Sequence, residues 1–220
     1  MSKIGIILSG CGVYDGSEIY ESTFSMLSLD KLGHSFICFA PEKPQMDVIH
    51  HASGEGIEGA KRDVYESASR LARGNIKPLT SFEANDWDGV IFPGGFGAAK
   101  NLCDFATKGA DCSVDADVER CVQSMKQMNK PMTFLCIAPT IAACVLGNEG
   151  IRLTIGNDQD TAQKIEQMGA THVDCEVGDY VYDERFHVFT SPAYMLGENM
   201  KDVASGIDKT LKAMHEQLCS

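Results

Sequence analysis

The sequence predicts an α/β fold, a mostly parallel sheet with helices on both faces, and three observations predict it. Residues 3–8 form an apolar run rich in β-branched side chains. A Gly-rich loop, an apolar-periodic segment and a second such run at 35–40 follow it, which together make a β-loop-α-β unit. Two further short apolar runs, 88–92 and 132–135, stop abruptly at turn residues. Between them Val114, Val118, Cys121, Val122, Met125 and Met128 recur at helical spacing, as a helix packed on a sheet requires.

The chain has 220 residues, enough for one α/β domain over 1–220 with a substantial core. Its formal net charge of -12 argues against nucleic acid and against an anionic membrane, since both need a basic face. A small molecule is the expected partner. Nine cysteines are scattered singly, without a C-x-x-C pair or a Cys/His cluster at zinc spacing, so neither a disulfide framework nor a metal site is signalled. Reduced thiols place the expected protein in the cytoplasm. The N-terminal apolar run is too short and too poorly flanked for a signal peptide or membrane span, and it reads as the first strand.

In chain order, the loop Ser9 to Gly16 leads into a helix whose apolar positions include Ile19, Phe24, Met26, Leu27 and Leu29. Gly10 and Gly12 begin like a dinucleotide fingerprint, but Gly16 comes one residue late and no acidic residue ends the second strand. No nucleotide cofactor is expected. Residues 41–59 read as a surface excursion carrying the adjacent pair His50 and His51, which cannot face one metal together. A helix over 58–73, a short strand at 76–79 and the strand 88–92 come next, the last ending in Pro93-Gly94-Gly95. Residues 101–113 read as loop. After Cys136 the sequence predicts a helix to Leu146, a strand at 151–155 and a helix at 158–168. Short strands at 172–177, 180–182 and 186–190 and a helix from about 195 to 218 complete the chain.

The candidate site lies where strands end. Met132 to Leu135 runs straight into helical sequence, so Cys136 occupies the corner between a strand's carboxyl end and a helix's amino end, the arrangement of a nucleophile elbow. Amide groups and the helix dipole there are expected to lower the thiol pKa. A buried structural thiol is the alternative reading. Glu18 begins the first helix and is either a carboxyl partner for the thiol or a helix-end charge. Backbone N–H groups at Gly95 and Ile137 are candidate oxyanion donors; at Gly95 the alternative is only a tight turn.

The segments Gly10 to Glu18, Pro93 to Leu102, Cys136-Ile137-Ala138-Pro139, Leu153 to Gly156 and Ser205 to Lys209 closely resemble those of the ElbB, or enhancing lycopene biosynthesis, family. That family sits in the PfpI-like branch of the class I glutamine amidotransferase-like superfamily, and the resemblance spans essentially the whole chain. It implies a flavodoxin-like three-layer α/β/α sandwich, Cys136 as nucleophile, Glu18 as the carboxyl hydrogen-bonded to it and Gly95 as the turn beside it. It also implies a homodimer, a connection to isoprenoid metabolism, and a cofactor-independent glyoxalase acting on glyoxal.

The chain departs from the wider superfamily where many members carry a histidine: Ile137 and Gly156 hold those places, and Ala138 replaces a common glycine. Protease and amidotransferase chemistry, which use a histidine to carry a proton, therefore fit poorly. His172 and His187 are candidate substitutes or ordinary structural residues. Two functions follow: an enzyme in which Cys136 adds to an aldehyde and Glu18 moves a proton, or a thiol sensor in which Cys136 is oxidised.

Overall fold

The structure is a computed structural model that describes residues 1–219. Its elements are β1 (Lys3–Ile7), α1 (Ile19–Lys31), β2 (Ser35–Ala40), β3 (Ile49–His50), β4 (Glu55–Gly56), α2 (Val64–Leu71), β5 (Ile76–Pro78) and β6 (Gly89–Phe92). After them come α3 (Phe105–Lys108), α4 (Ala116–Gln127), β7 (Met132–Leu135), α5 (Pro139–Leu146), β8 (Arg152–Leu153) and α6 (Gln159–Gln167). The chain closes with β9 (Thr171–His172), β10 (Val181–Asp183), β11 (Val188–Ser191) and α7 (Met200–Leu218).

Seven strands form one sheet in the order β10-β11-β7-β6-β1-β2-β5, parallel throughout except for β10, which pairs antiparallel with β11. Side chains on both faces are buried, and so the central strands read as continuous apolar runs rather than alternating ones. One apolar layer joins the sheet to α1, α2 and α7 through Leu29, Val64, Ala68, Ile207 and Leu211. The other joins it to α4, α5 and α6 through Val118, Val122, Ile141, Leu146 and Ile165. This is the flavodoxin-like α/β sandwich.

The first crossover, β1 to β2, leads toward β5, whereas β6 lies on the other side of β1. Strand order reverses there, which opens a crevice at the carboxyl ends of β1 and β6, the usual ligand position in such sheets. The loops that follow β1, β6 and β7 all reach this edge, and the first two are stitched together by backbone hydrogen bonds. Glu18 N donates to Gly94 O at 2.9 Å, Gly97 N to Gly16 O at 3.0 Å and Phe96 N to Val13 O at 2.7 Å.

Several elements differ from the sequence reading for local reasons. Helix α1 buries Glu21, Ser22, Ser25, Ser28 and Leu29 and exposes Ile19 and Leu27. Its inward serines satisfy themselves, Ser22 Oγ on Glu18 O and Ser25 Oγ on Glu21 O, so a polar stripe costs little to bury. The runs 151–155 and 172–177 shrink to β8 and β9, which pair with each other outside the main sheet. The stretch 101–113 contains the end of a π-helical turn (Ala98–Leu102), α3 and a tight helical turn at Gly109–Asp111 rather than plain loop.

Candidate active site

Cys136 has φ +59, one of five non-glycine residues in the left-handed region among the described residues, and it is 8% exposed. A side chain held there stores backbone strain that the surrounding packing must offset. The strain follows from the sharp reversal between β7 and α5: Cys136 N donates to Ser191 O at 2.9 Å, holding it to the sheet, while Pro139 already begins the helix. Helix α5 has no side chain capping its amino end; the Ala138, Thr140 and Ile141 amides donate to backbone carbonyls and Pro139 has none, so the Ile137 amide is the one this turn leaves for a group at the corner.

The carboxyl that meets this thiol is Glu21. The Glu21 carboxyl faces the Cys136 thiol across Gly94, close enough for each to shift the other's ionisation, and the backbone amides of Gly95 and Ile137 act on the sulfur from the other segments. Glu21 is fully buried, with Oε2 accepting from Gly94 N at 2.8 Å and Oε1 from Tyr194 N at 3.1 Å. Glu18, assigned this contact from the sequence, instead caps α1: its Oε2 accepts from Glu21 N at 2.7 Å. Its side chain still lines the cavity that opens on Cys136. The two carboxylates are three positions apart, so both lie on the inward side of the first helical turn, and the one deeper in the helix reaches the sulfur. The signal for Glu21 was its place in the small-residue stripe with Ser22, Ser25 and Ser28, which an apolar-periodicity reading passes over.

Gly94 is required by space. A Cβ added there would stand 2.4 Å from Cys136 Cβ and 2.7 Å from Glu21 Oε2, so the backbone can pass between thiol and carboxyl only without a side chain. Gly95 has φ +91, which turns its amide toward the sulfur.

Burial governs the electrostatics. It raises Glu21 from 4.5 to about 7, with the Glu18 charge adding to the rise and the Tyr194 and Gly94 amides opposing it. Burial first, then the Glu21 carboxylate, pushes the Cys136 thiol well above a free cysteine, and the two amides only partly counter this. The expectation of a lowered thiol pKa is thus reversed, because desolvation outweighs the helix end. The two groups titrate as a pair: near neutral pH a thiol faces a carboxylate able to take its proton.

The cavity at Cys136 is about 450 Å³ and largely apolar, walled by Phe96, Phe105, Ile137, Tyr194 and Met195, with Glu18 and Asp158 as its carboxylates. Among the described residues none of the six histidines lines it. His187 stands at the amino end of β11, where its carbonyl accepts from Met132 N, and its ring meets Tyr182 OH at 3.2 Å. Cys136 lies at the opposite edge of the sheet. His172 is on β9, its Nε2 accepting from Ile155 N at 3.3 Å, and burial lowers its pKa. Neither is brought to the thiol, so neither serves as its proton carrier. Among the described residues no group of three or more His, Cys, Asp or Glu could hold a metal ion.

No family model matches the chain. It is 40% identical over 224 aligned positions to the Homo sapiens glutamine amidotransferase-like class 1 domain-containing protein 3, mitochondrial, covering 98% of this chain and 83% of that one. The ES1 protein homolog, mitochondrial, of Rattus norvegicus is 38% identical, with 98% and 84% covered. A crystal structure of an isoprenoid biosynthesis protein with amidotransferase-like domain from Ehrlichia chaffeensis superposes with TM-score 0.91 at 30% identity, over 98% of this chain and 99% of that one. Glyoxalase III from Candida albicans superposes with TM-score 0.59 at 13% identity, over 96% and 97%, a likeness of fold alone. The mitochondrial relatives overturn the cytoplasmic expectation and point to mitochondria. Free thiols report a reducing environment and do not distinguish one such compartment from another. Near-complete alignment to these relatives makes the chain a member of the glutamine amidotransferase-like class 1 domain family, within the fold group that also holds the DJ-1/ThiJ/PfpI proteins.

Proposed function

We propose that the chain is an ElbB-type, cofactor-independent glyoxalase that converts glyoxal, or a small aldehyde like it, to glycolate, with Cys136 as nucleophile and Glu21 as acid/base. The observation that carries this reading is the buried Cys136–Glu21 pair, whose carboxyl is held at about 7. A group poised near the working pH can both take and return a proton.

Glu21 takes the thiol proton as sulfur adds to one aldehyde carbon, and the new alkoxide is protonated to a hemithioacetal. The carboxylate then removes the proton on that carbon, and an enediol forms as the second carbonyl gains one. Return of the proton to the second carbon leaves a thioester of glycolate. Water hydrolyses it, freeing the thiol. One glyoxal and one water become glycolate and a proton, with no outside oxidant. Amides at Gly95 and Ile137 are placed to steady negative charge at the reacting centre. Glu18, at the cavity wall, holds the Glu21 value up through its charge.

The name of one solved relative, an isoprenoid biosynthesis protein, accords with a connection to isoprenoid metabolism, and that of glyoxalase III, a protein of the same fold, accords with the chemistry. A closed two-fold homodimer is the proposed assembly. The thiol-sensor reading loses ground at Cys136, since redox-sensing cysteines are exposed and of low pKa, and this one is neither. Incubating the purified protein with glyoxal and following glycolate by NMR tests the proposal. Repeated turnover that disappears in Cys136→Ser is expected; an adduct formed once per chain without release would sink the enzyme reading.

A further inference from the structure

A second pair of thiols lies outside the Cys136 cavity. Cys112 ends the tight turn Gly109–Asp111, and Cys144 sits in α5, the helix that begins beside Cys136. Folding brings them together across the chain: Cys144 Sγ donates to the Cys112 carbonyl oxygen at 3.2 Å, which sets the two thiols close enough to shift each other's ionisation, and Cys112 Sγ lies 3.8 Å from Met168 Sδ. Both are half-buried, so neither is sealed from small solutes. A depression of about 240 Å³, formed with Ser113, Val114 and Glu119, opens on Cys144.

The pair is also asymmetric. Cys144 lines the open depression and Cys112 does not, so Cys144 is the thiol a small oxidant reaches and Cys112 the neighbour that follows, the division of labour of an attacking and a resolving cysteine. The interaction between the two acts in the same sense, raising Cys112 and lowering Cys144. Cys103 is close by but buried, its thiol directed at Ala98 O at 3.4 Å and raised to about 12 by burial.

We propose that Cys112 and Cys144 form a reversible disulfide when the protein meets a peroxide. Cys144 sulfur attacks the O–O bond, giving a sulfenic acid and, with one proton, a water. Cys112 sulfur then displaces the sulfenic oxygen, which leaves as the second water. Two thiols lose two electrons and two protons, and one hydrogen peroxide becomes two waters. The bond would tie α5 to the segment that carries Phe105 and Ala106, both in the wall of the Cys136 cavity. That segment is already closed at its base by the Cys103–Val114 bridge and by Asp104 N on Ser113 O at 3.1 Å.

The test exposes the full chain to hydrogen peroxide, alkylates with iodoacetamide and maps peptides by mass spectrometry without reduction. Cys112 and Cys144 should lose alkylation together, and their peptides should appear joined with a loss of two hydrogens. Fragment ions should place an alkyl group on Cys136, which shares a tryptic peptide with Cys144, and dithiothreitol should restore both sites. Cys112→Ser should leave Cys144 as a sulfenic acid that dimedone captures, while Cys103→Ser should leave the link intact. Full alkylation of Cys112 and Cys144 after peroxide, or a link made through Cys103 or Cys136 instead, overturns the proposal.

Discussion

The two edges of the sheet handle polar groups in opposite ways. At the amino edge His187 meets Tyr182 OH, Tyr182 OH also lies 3.3 Å from Gln217 Oε1, and His34 meets His215 at 3.0 Å. These are hydrogen bonds among imidazole, hydroxyl and amide groups. At the carboxyl edge a carboxyl is fully buried without a cationic partner, a thiol sits in left-handed backbone, and a glycine separates them because nothing larger fits. Cys38 sharpens the contrast: it too is buried, and burial raises it to about 12, yet it lies in regular strand with no ionisable neighbour among the causes of its shift. Burial alone makes an inert thiol. Burial together with strain and an adjacent carboxyl makes a site, since folding stability has no need of that combination.

The largest expected effect is at the carboxyl. Glu21→Gln should lower glycolate turnover by about 10²–10⁴-fold, the usual worth of a positioned acid/base, with the thiol still able to capture aldehyde. Glu18→Gln should leave turnover largely in place and move its pH midpoint downward, because the Glu18 charge helps to raise Glu21. Equal losses in the two variants would erase the distinction between them.

A second effect is on stability. Because Glu21 is raised from 4.5 to about 7, the folded protein binds more protons than the unfolded chain between those values. Its contribution is therefore most favourable below pH 4.5, is lost progressively as pH rises toward 7, and is flat above. The integrated difference is about 3 kcal/mol. Urea midpoints measured across this range should show the decline in wild type and lose that component in Glu21→Gln; identical slopes would mean that Glu21 ionises normally.

Gly94→Ala tests the close approach and should cost about 1–3 kcal/mol in urea unfolding, with turnover falling as thiol and carboxyl are forced apart. The smallest effect belongs to the amino edge: His187→Ala should cost about 1 kcal/mol, a hydrogen bond's worth, and leave turnover unchanged. A large loss of turnover there would restore a histidine to the chemistry and break the comparison.

Much of this was legible in the residues. Apolar runs that stop at turn chemistry marked β1, β6 and β7, because strands buried on both faces need continuous hydrophobicity and parallel strands need loops at their ends. The same pattern put Cys136 at a corner. Compartment was not legible, since an unpaired thiol records redox conditions and not an address. The extents of β8 and β9 were not either, since sequence does not say which strand a short apolar run pairs with.

What the sequence by itself determined is the alternation of strands and helices and the cysteine at the strand-to-helix corner, both properties of neighbouring residues. Tertiary structure decided which carboxyl faces it. Glu18 and Glu21 share one helical turn and one charge, and only the approach of Gly94 and Tyr194 from distant segments buries Glu21 and supplies its two amide donors. It also decided the direction of the thiol's pKa. The helix end that favours a thiolate is local, whereas the desolvation that outweighs it comes from elements folded over Cys136 from the rest of the chain.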